Sequence, residues 1–237
     1  KATKEAPSQE IGLKKAWTII TSSPQIGIFF SFLILYTLGL FLQDPILESY
    51  GAEVFNLPIS KTALLNAYWG GGTLLGLLIG GLWITPKLGK LATARMGCWM
   101  IVVSLILLIV SGLFANSNGL FLVLLVFGLA AGIATNSALS LMLDLTLPQV
   151  AGTFVGVWGL AQALSRAIGK LLGGGLLDLG RFLTSNNSSL LAFSFVFTLE
   201  ILILIMAIVV LDRVSINRFK KETELQIGAM MLSDLDS

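Results

Sequence analysis

"GTFVGVWGLAQALSRAIGKLLGGGLLDLGR", residues 152 to 181, decides the fold: reading it as a membrane-crossing helix, despite Arg166 and Lys170 near its middle, brings the number of spans to six. A charged side chain at the centre of a bilayer costs at least about 2.5 to 3.5 kcal/mol on insertion scales, so both cations must be compensated or put to use. Trp158, Gln162, Arg166, Lys170, Gly174 and Asp178 follow one another every four residues. At 3.6 residues per turn such a series shares a face that drifts slowly round the helix. The spacing predicts that this stripe faces the bundle interior, with the opposite leucines on lipid.

The rest of the chain has the same character. Hydrophobic residues make up 55% of the 237 and charged residues only 12%, and the mean hydropathy is +0.89, well away from the roughly 25% charge of a soluble domain. The chain is an all-α membrane protein. Apolar runs of spanning length fall at about 25 to 43, 62 to 84, 95 to 114, 119 to 143, 152 to 177 and 190 to 211. Residues 1 to 24 read as a linker and 212 to 237 as a polar tail, both cytoplasmic, and the start lacks the layout of a signal peptide. The chain reads as a piece of a longer polypeptide. Residues 44 to 61, with Pro45, Gly51 and Pro58 as breakers, read as a loop on the opposite side.

Orientation follows the placement of Lys and Arg. Eleven of the fifteen fall at the N-terminus (Lys1, Lys4, Lys14, Lys15), the second loop (Lys87, Lys90, Arg95) and the tail (Arg213, Arg218, Lys220, Lys221). Both termini and that loop are therefore expected on the cytoplasmic side.

Composition also limits the chemistry. There is no histidine and a single cysteine, Cys98, inside an apolar run. This removes the usual general base near neutral pH, the commonest metal ligand and any cysteine-cluster or disulfide site within the chain. No enzymatic activity, redox cofactor or nucleic-acid partner is expected.

Small residues at four-residue spacing recur where membrane helices must pack closely: Gly72, Gly76 and Gly80 in the second span, Gly128 and Gly132 in the fourth. The fourth series continues as Asn136, Ser140 and Asp144. Asn136 lies well inside the membrane and needs a partner there, from a neighbouring helix or a cavity.

The sixth span holds Glu200 in "AFSFVFTLEILILIM". Counting inward from Leu190 and Asp178 places it within about one turn of Arg166 and Lys170 in depth. Glu200 is thus the predicted partner of Arg166, with Lys170 as competitor, because Arg suits a bidentate carboxylate pair and Lys170 can snorkel outward. Two readings stand: an ion pair fixing helix register, or a ligand site with Gln162, Asn136 and Glu200 offering oxygens to a metal or a polar headgroup.

A six-helix unit behind a charged cytoplasmic linker resembles half of a major facilitator transporter, whose halves are related by an axis along the membrane normal. "GGLWITPKLGKLATARMG" resembles that superfamily's loop signature, with Gly81, Gly89 and Lys90 in place. Thr85 stands where the signature has an acid, so the likeness does not reach the gating pair. A narrower likeness lies in residues 42 to 76 and 151 to 181. The first stretch carries Gln43-Asp44, Glu48, Tyr50-Gly51, Glu53 and Phe55; the second carries Ala151-Gly152, Trp158-Gly159, Ala161-Gln162-Ala163 and Arg166. These resemble the PucC-type family of light-harvesting-complex assembly or (bacterio)chlorophyll delivery proteins of photosynthetic membranes.

The resemblance implies the C-terminal six-helix half of such a protein, preceded by its N-terminal half, in a thylakoid or intracytoplasmic membrane. Its implied partners are the bilayer and chlorophyll-binding photosystem or antenna proteins, and its implied cofactor is a small number of chlorophyll molecules. With no histidine, chlorophyll magnesium would be ligated by Glu200 or Gln162, or by Asn, Asp, backbone carbonyl or water oxygen. Asp44, Glu48, Tyr50, Glu53 and Phe55 make the loop acidic and aromatic, giving either interfacial anchoring or a lumenal docking surface. Two other functions compete: a proton-coupled transporter of a small lipophilic solute titrating at Glu200, and a structural subunit packed through its glycine faces.

Overall fold

The computed structural model describes residues 24–146, 151–184 and 188–218. Most of the linker expected at 1 to 24 and of the tail expected at 212 to 237 lies outside the described residues. The described chain is helical: α1 (Pro24–Leu40), α2 (Leu47–Phe55), α3 (Ile59–Ile79), α4 (Thr85–Leu88), α5 (Lys90–Phe114), α6 (Ser117–Asp144), α7 (Ala151–Leu183) and α8 (Ser189–Leu211). A π-helical turn at Gly80–Ile84 joins α3 to α4. The stretches Ile59–Leu88, Lys90–Phe114, Ser117–Asp144 and Ser189–Leu211 are long and apolar enough to cross a membrane, and Pro24–Leu40 is a shorter apolar helix. Helix α7 has 33 residues, about 50 Å at 1.5 Å per residue, and its charges make it the least apolar of the long helices.

Two seams organise the bundle. In the first, α3 lies on α6 with backbones touching. A methyl on Gly72 or Gly76 would strike the carbonyl of Leu125 or Leu129, and one on Gly128 or Gly132 would strike that of Trp69 or Thr73. The four-residue spacing in each helix keeps these glycines on one face, so the two helices close like a zipper. In the second seam, α8 packs against α1, α5 and α7 through its buried stripe Phe193, Val196, Phe197, Glu200 and Leu204. Helix α5 joins the two seams, with Gly97 against Ala134 of α6 and Gly112 against Leu190 of α8.

The stretch expected as an outer loop at 44 to 61 is a continuation of the first span. Gly39 touches Leu204 of α8, whereas the Tyr50 ring touches Phe197 and Phe193, so the chain advances along α8 between these points. The first span is therefore two half-helices, α1 and α2, interrupted at residues 41 to 46. Pro45 accounts for the break, since it donates no backbone hydrogen bond and pushes Asp44 out of the helical region. Gly51 breaks nothing. It lies inside α2, where a methyl would come within 2.6 Å of Leu65. The turn out of α2 is made at Asn56, in the left-handed region at φ 53°.

Candidate functional site

The break at residues 41 to 46 lies at the middle of the bundle. Glu200 is the central residue of α8, whose ends are Ser189 and Leu211. The contact of Gly39 with Leu204 in these antiparallel helices puts Gln43 at the depth of Glu200. Irregular backbone at membrane depth is tolerated where protein buries it or where it lines a cavity, and here α7 and α8 cover it. Gly169 of α7 lies on the Leu38 carbonyl, and Gly173 lies on the Leu42 carbonyl and the Pro45 ring. Both glycines are required by that approach.

Helix α7 therefore turns a different face inward from the one its polar spacing predicts. Ser165, Gly169, Gly173, Leu177 and Gly180 are buried, whereas Arg166, Lys170 and Asp178 are exposed on the surface of this chain and Gln162 is half-buried. The glycines win because only they let α7 meet the α1 backbone. The polar stripe lies beside that contact face.

The expected Arg166–Glu200 pair does not form. Gly180 packs against Ala192, which in these antiparallel helices makes residue 172 level with Glu200 and leaves Arg166 six residues, about 9 Å, away. Counting from Asp178 misplaces the depth because α7 continues to Leu183. Arg166 instead lays its guanidinium over the Phe41 ring at 4.3 Å, a favourable cation–π geometry. Phe41 in turn meets Trp69 of α3 edge-on. Arg166 has no carboxylate partner among the described residues. Lys170 pairs with Asp44 at 2.6 Å. Both cations thus find partners on the break, on either side of Gln43.

Glu200 and Gln43 are the residues of this region with two unsatisfied polar atoms each, beside single ones on Thr37 and Trp69. Glu200 has no exposed surface and Gln43 is 1% exposed, yet neither the two carboxyl oxygens nor the two amide atoms have a hydrogen-bond partner among the described residues. The level of α5 opposite them buries Ile101, Val102 and Leu105, and Ser104 there donates to the Met100 carbonyl of its own helix. Leaving such groups unmatched is costly. Glu200 is visible in the sequence as an intramembrane acid. Gln43 is visible only as part of the Gln43-Asp44 pair that carries the family likeness, and its place two residues before Pro45 is the signal that could have marked it as a site residue.

The acidic and aromatic residues of α2 and its flank are tied down as well. Asp44 is held by Lys170, Glu48 accepts from Asn66 at 2.8 Å and Glu53 accepts from Arg181 at 2.6 Å. Tyr50 is wholly buried and donates to the Leu108 carbonyl at 2.6 Å, and Phe55 is 7% exposed. Tyr50 and Phe55 are core residues and offer no side chain to the docking surface expected here, whereas Glu48 and Glu53 are exposed.

At the other end of α3 the polar continuation of α6 finds partners. The Asn136 amide donates to the Thr85 hydroxyl at 3.4 Å, beside the π-helical turn, where Gly81 leaves room for it. Lys90 pairs with Asp144 at 2.7 Å and also donates to the Ser140 carbonyl, while the Ser137 hydroxyl donates to the Lys90 carbonyl. Asn136 is thus satisfied between helices, far from Glu200, and does not share a site with it. The missing acid at Thr85 is matched by a cross-helix pair from Lys90. No cluster of three ligating side chains suited to a metal ion occurs among the described residues.

Comparison with known proteins places these features in a lineage. The family model described as PUCC protein matches residues 1–219. Among curated relatives, "Bacteriochlorophyll synthase 44.5 kDa chain" of Rhodobacter capsulatus is 32% identical over 203 residues, covering 83% of this chain and 45% of that protein. "Uncharacterized protein in puhA-bchM intergenic region" of the same organism is 27% identical over 221 residues, covering 89% and 45%. "Protein PucC" of Rhodovulum sulfidophilum is 26% identical over 180 residues, covering 76% and 40%. The chain spans less than half the length of these relatives.

Proposed function

This chain belongs to the PucC family, and from that premise we propose that it acts as a membrane assembly factor, helping to deliver or insert chlorophyll-type pigment into light-harvesting or photosystem complexes. It works without catalysing a reaction, as one six-helix half of a major-facilitator-type bundle in a photosynthetic membrane, with both termini cytoplasmic. The observation that carries this reading is the family match across nearly the whole chain. The name of one relative as a bacteriochlorophyll synthase chain supports it.

The residues present are compatible with a few pigment molecules. Magnesium of a chlorophyll takes one hard oxygen or nitrogen ligand. Gln162, half-buried on the open face of α7 one turn from Arg166, is the side chain able to supply it. Glu200, enclosed on every side, is poorly placed for a macrocycle. Arg166 would donate to pigment carbonyl oxygens from above Phe41.

The test is purification of the tagged protein from a photosynthetic membrane in mild detergent. A pigment absorbance band together with a light-harvesting or photosystem subunit is expected. Colourless protein without such a subunit overturns the reading.

A further inference from the structure

We infer that Glu200 and Gln43 form a binding site for a small monovalent cation of the Na⁺ type, at the break between the two halves of the first span. Three observations meet there. Both side chains are almost completely buried, and all four of their polar atoms lack a partner among the described residues. They stand at one depth, fixed by the contact of Gly39 with Leu204, without hydrogen-bonding each other. The break leaves backbone at residues 41 to 46 outside a regular helical ladder, directly after the C-terminal, electronegative end of α1.

The chemistry selects the ligand. One carboxylate and one carboxamide oxygen carry a single negative charge between them, which a monovalent ion neutralises. A divalent ion such as Ca²⁺ takes six to eight oxygens, commonly including several carboxylates. Unwound backbone carbonyls and half-helix C-termini at mid-membrane are a recurring way of completing the coordination of such an ion. Other charges nearby are already committed: Asp44 is paired with Lys170 and Arg166 lies on Phe41. The remaining titratable groups on elements packed against α8 have partners of their own or lie in apolar packing: Tyr36 donates to the Ala131 carbonyl, Tyr50 to that of Leu108, Glu48 accepts from Asn66, Glu53 pairs with Arg181, Lys90 with Asp144, Arg95 with Asp212 and Asp178 with Arg181, and Cys98 is buried.

The site is tested on the full chain in detergent, with ²²Na⁺ as probe and thermal unfolding as a second readout, in NaCl against choline chloride at equal ionic strength. Saturable ²²Na⁺ binding is expected. At a hundred times its Kd, Na⁺ should raise the unfolding midpoint by about 5 °C or more. Glu200→Gln should abolish both effects and Gln43→Leu should weaken ²²Na⁺ binding about tenfold, while Lys90→Gln, at the start of α5, should leave both unchanged. Wild-type protein indifferent to Na⁺ overturns the inference, whether or not it responds to pH, because a carboxyl group that takes only a proton has no Na⁺ dependence. If both variants bind ²²Na⁺ as the wild type does, the ion sits elsewhere and the assignment fails.

Discussion

Arg166 and Lys170, one helical turn apart, are compensated in different ways: one lies on an aromatic ring and the other on a carboxylate. That difference is measurable. Asp44→Leu removes the carboxylate partner of Lys170, whose side chain is 48% exposed, and is expected to cost up to about 1 kcal/mol. The double variant Asp44→Leu/Lys170→Leu should recover most of it. The corresponding cycle of Arg166→Ala and Glu200→Ala should be additive, because the two residues do not touch. Coupling in the second cycle and additivity in the first would reverse the pairing. Tyr50→Phe, which removes one buried hydrogen bond and little volume, is expected to lower stability by about 1 kcal/mol. Thermal unfolding of the purified variants checks all three.

At the scale of elements, glycines inside the long helices have opposite consequences. Gly76→Ala and Gly132→Ala drive a methyl into the backbone of the facing helix and should each cost about 1 to 3 kcal/mol as overpacking, read as a lower unfolding temperature. Gly156→Ala and Gly159→Ala meet nothing within 4 Å. They should be neutral or slightly stabilising, since Ala is the better helix former by about 1 kcal/mol. This contrast also explains what can be read from the sequence. The α3–α6 zipper is legible because its glycines repeat in two helices at once, and Asn136 because an amide at that depth must find a partner. The break after Leu40 is not legible: Pro45 lies at the end of an apolar run, where a loop and a mid-membrane interruption look alike. The partners of Arg166 and Lys170 are hidden for a related reason. Depth counted from span ends fails when α7 runs past Asp178, and a four-residue polar stripe does not reveal that the neighbouring glycine stripe packs instead.

At the scale of the whole molecule, α7 leaves one long face open among the described residues, touched only where Arg166 and Lys170 reach back to Phe41 and Asp44. A methyl added at Gly152, Gly156, Gly159 or Gly174 would meet no atom within 4 Å, and Ala163, Arg166 and Lys170 are exposed among them. The adjoining face carries Leu160, Leu164 and Leu171, each more than half exposed, as expected of a lipid-facing surface. A bilayer that covered both faces alike would hold two cations in hydrocarbon. A water-filled cleft or a second helical unit over the small-residue face avoids that cost, and the relatives are more than twice as long as the stretch they share with this chain. Single cysteines placed at Gly159, Ala163 and Gly174 should therefore react in intact membranes with a water-soluble, membrane-impermeant thiol reagent if the face lines a cleft. Cysteines at Leu160, Leu164 and Leu171 should stay unlabelled. The native Cys98 is wholly buried, so the background is silent. Labelling of neither set, with crosslinking of the small-residue positions to a second helical unit, would mean that this face is packed shut. Labelling of neither set without such crosslinks would place it against lipid and remove the cleft from the account of how α7 carries its charges.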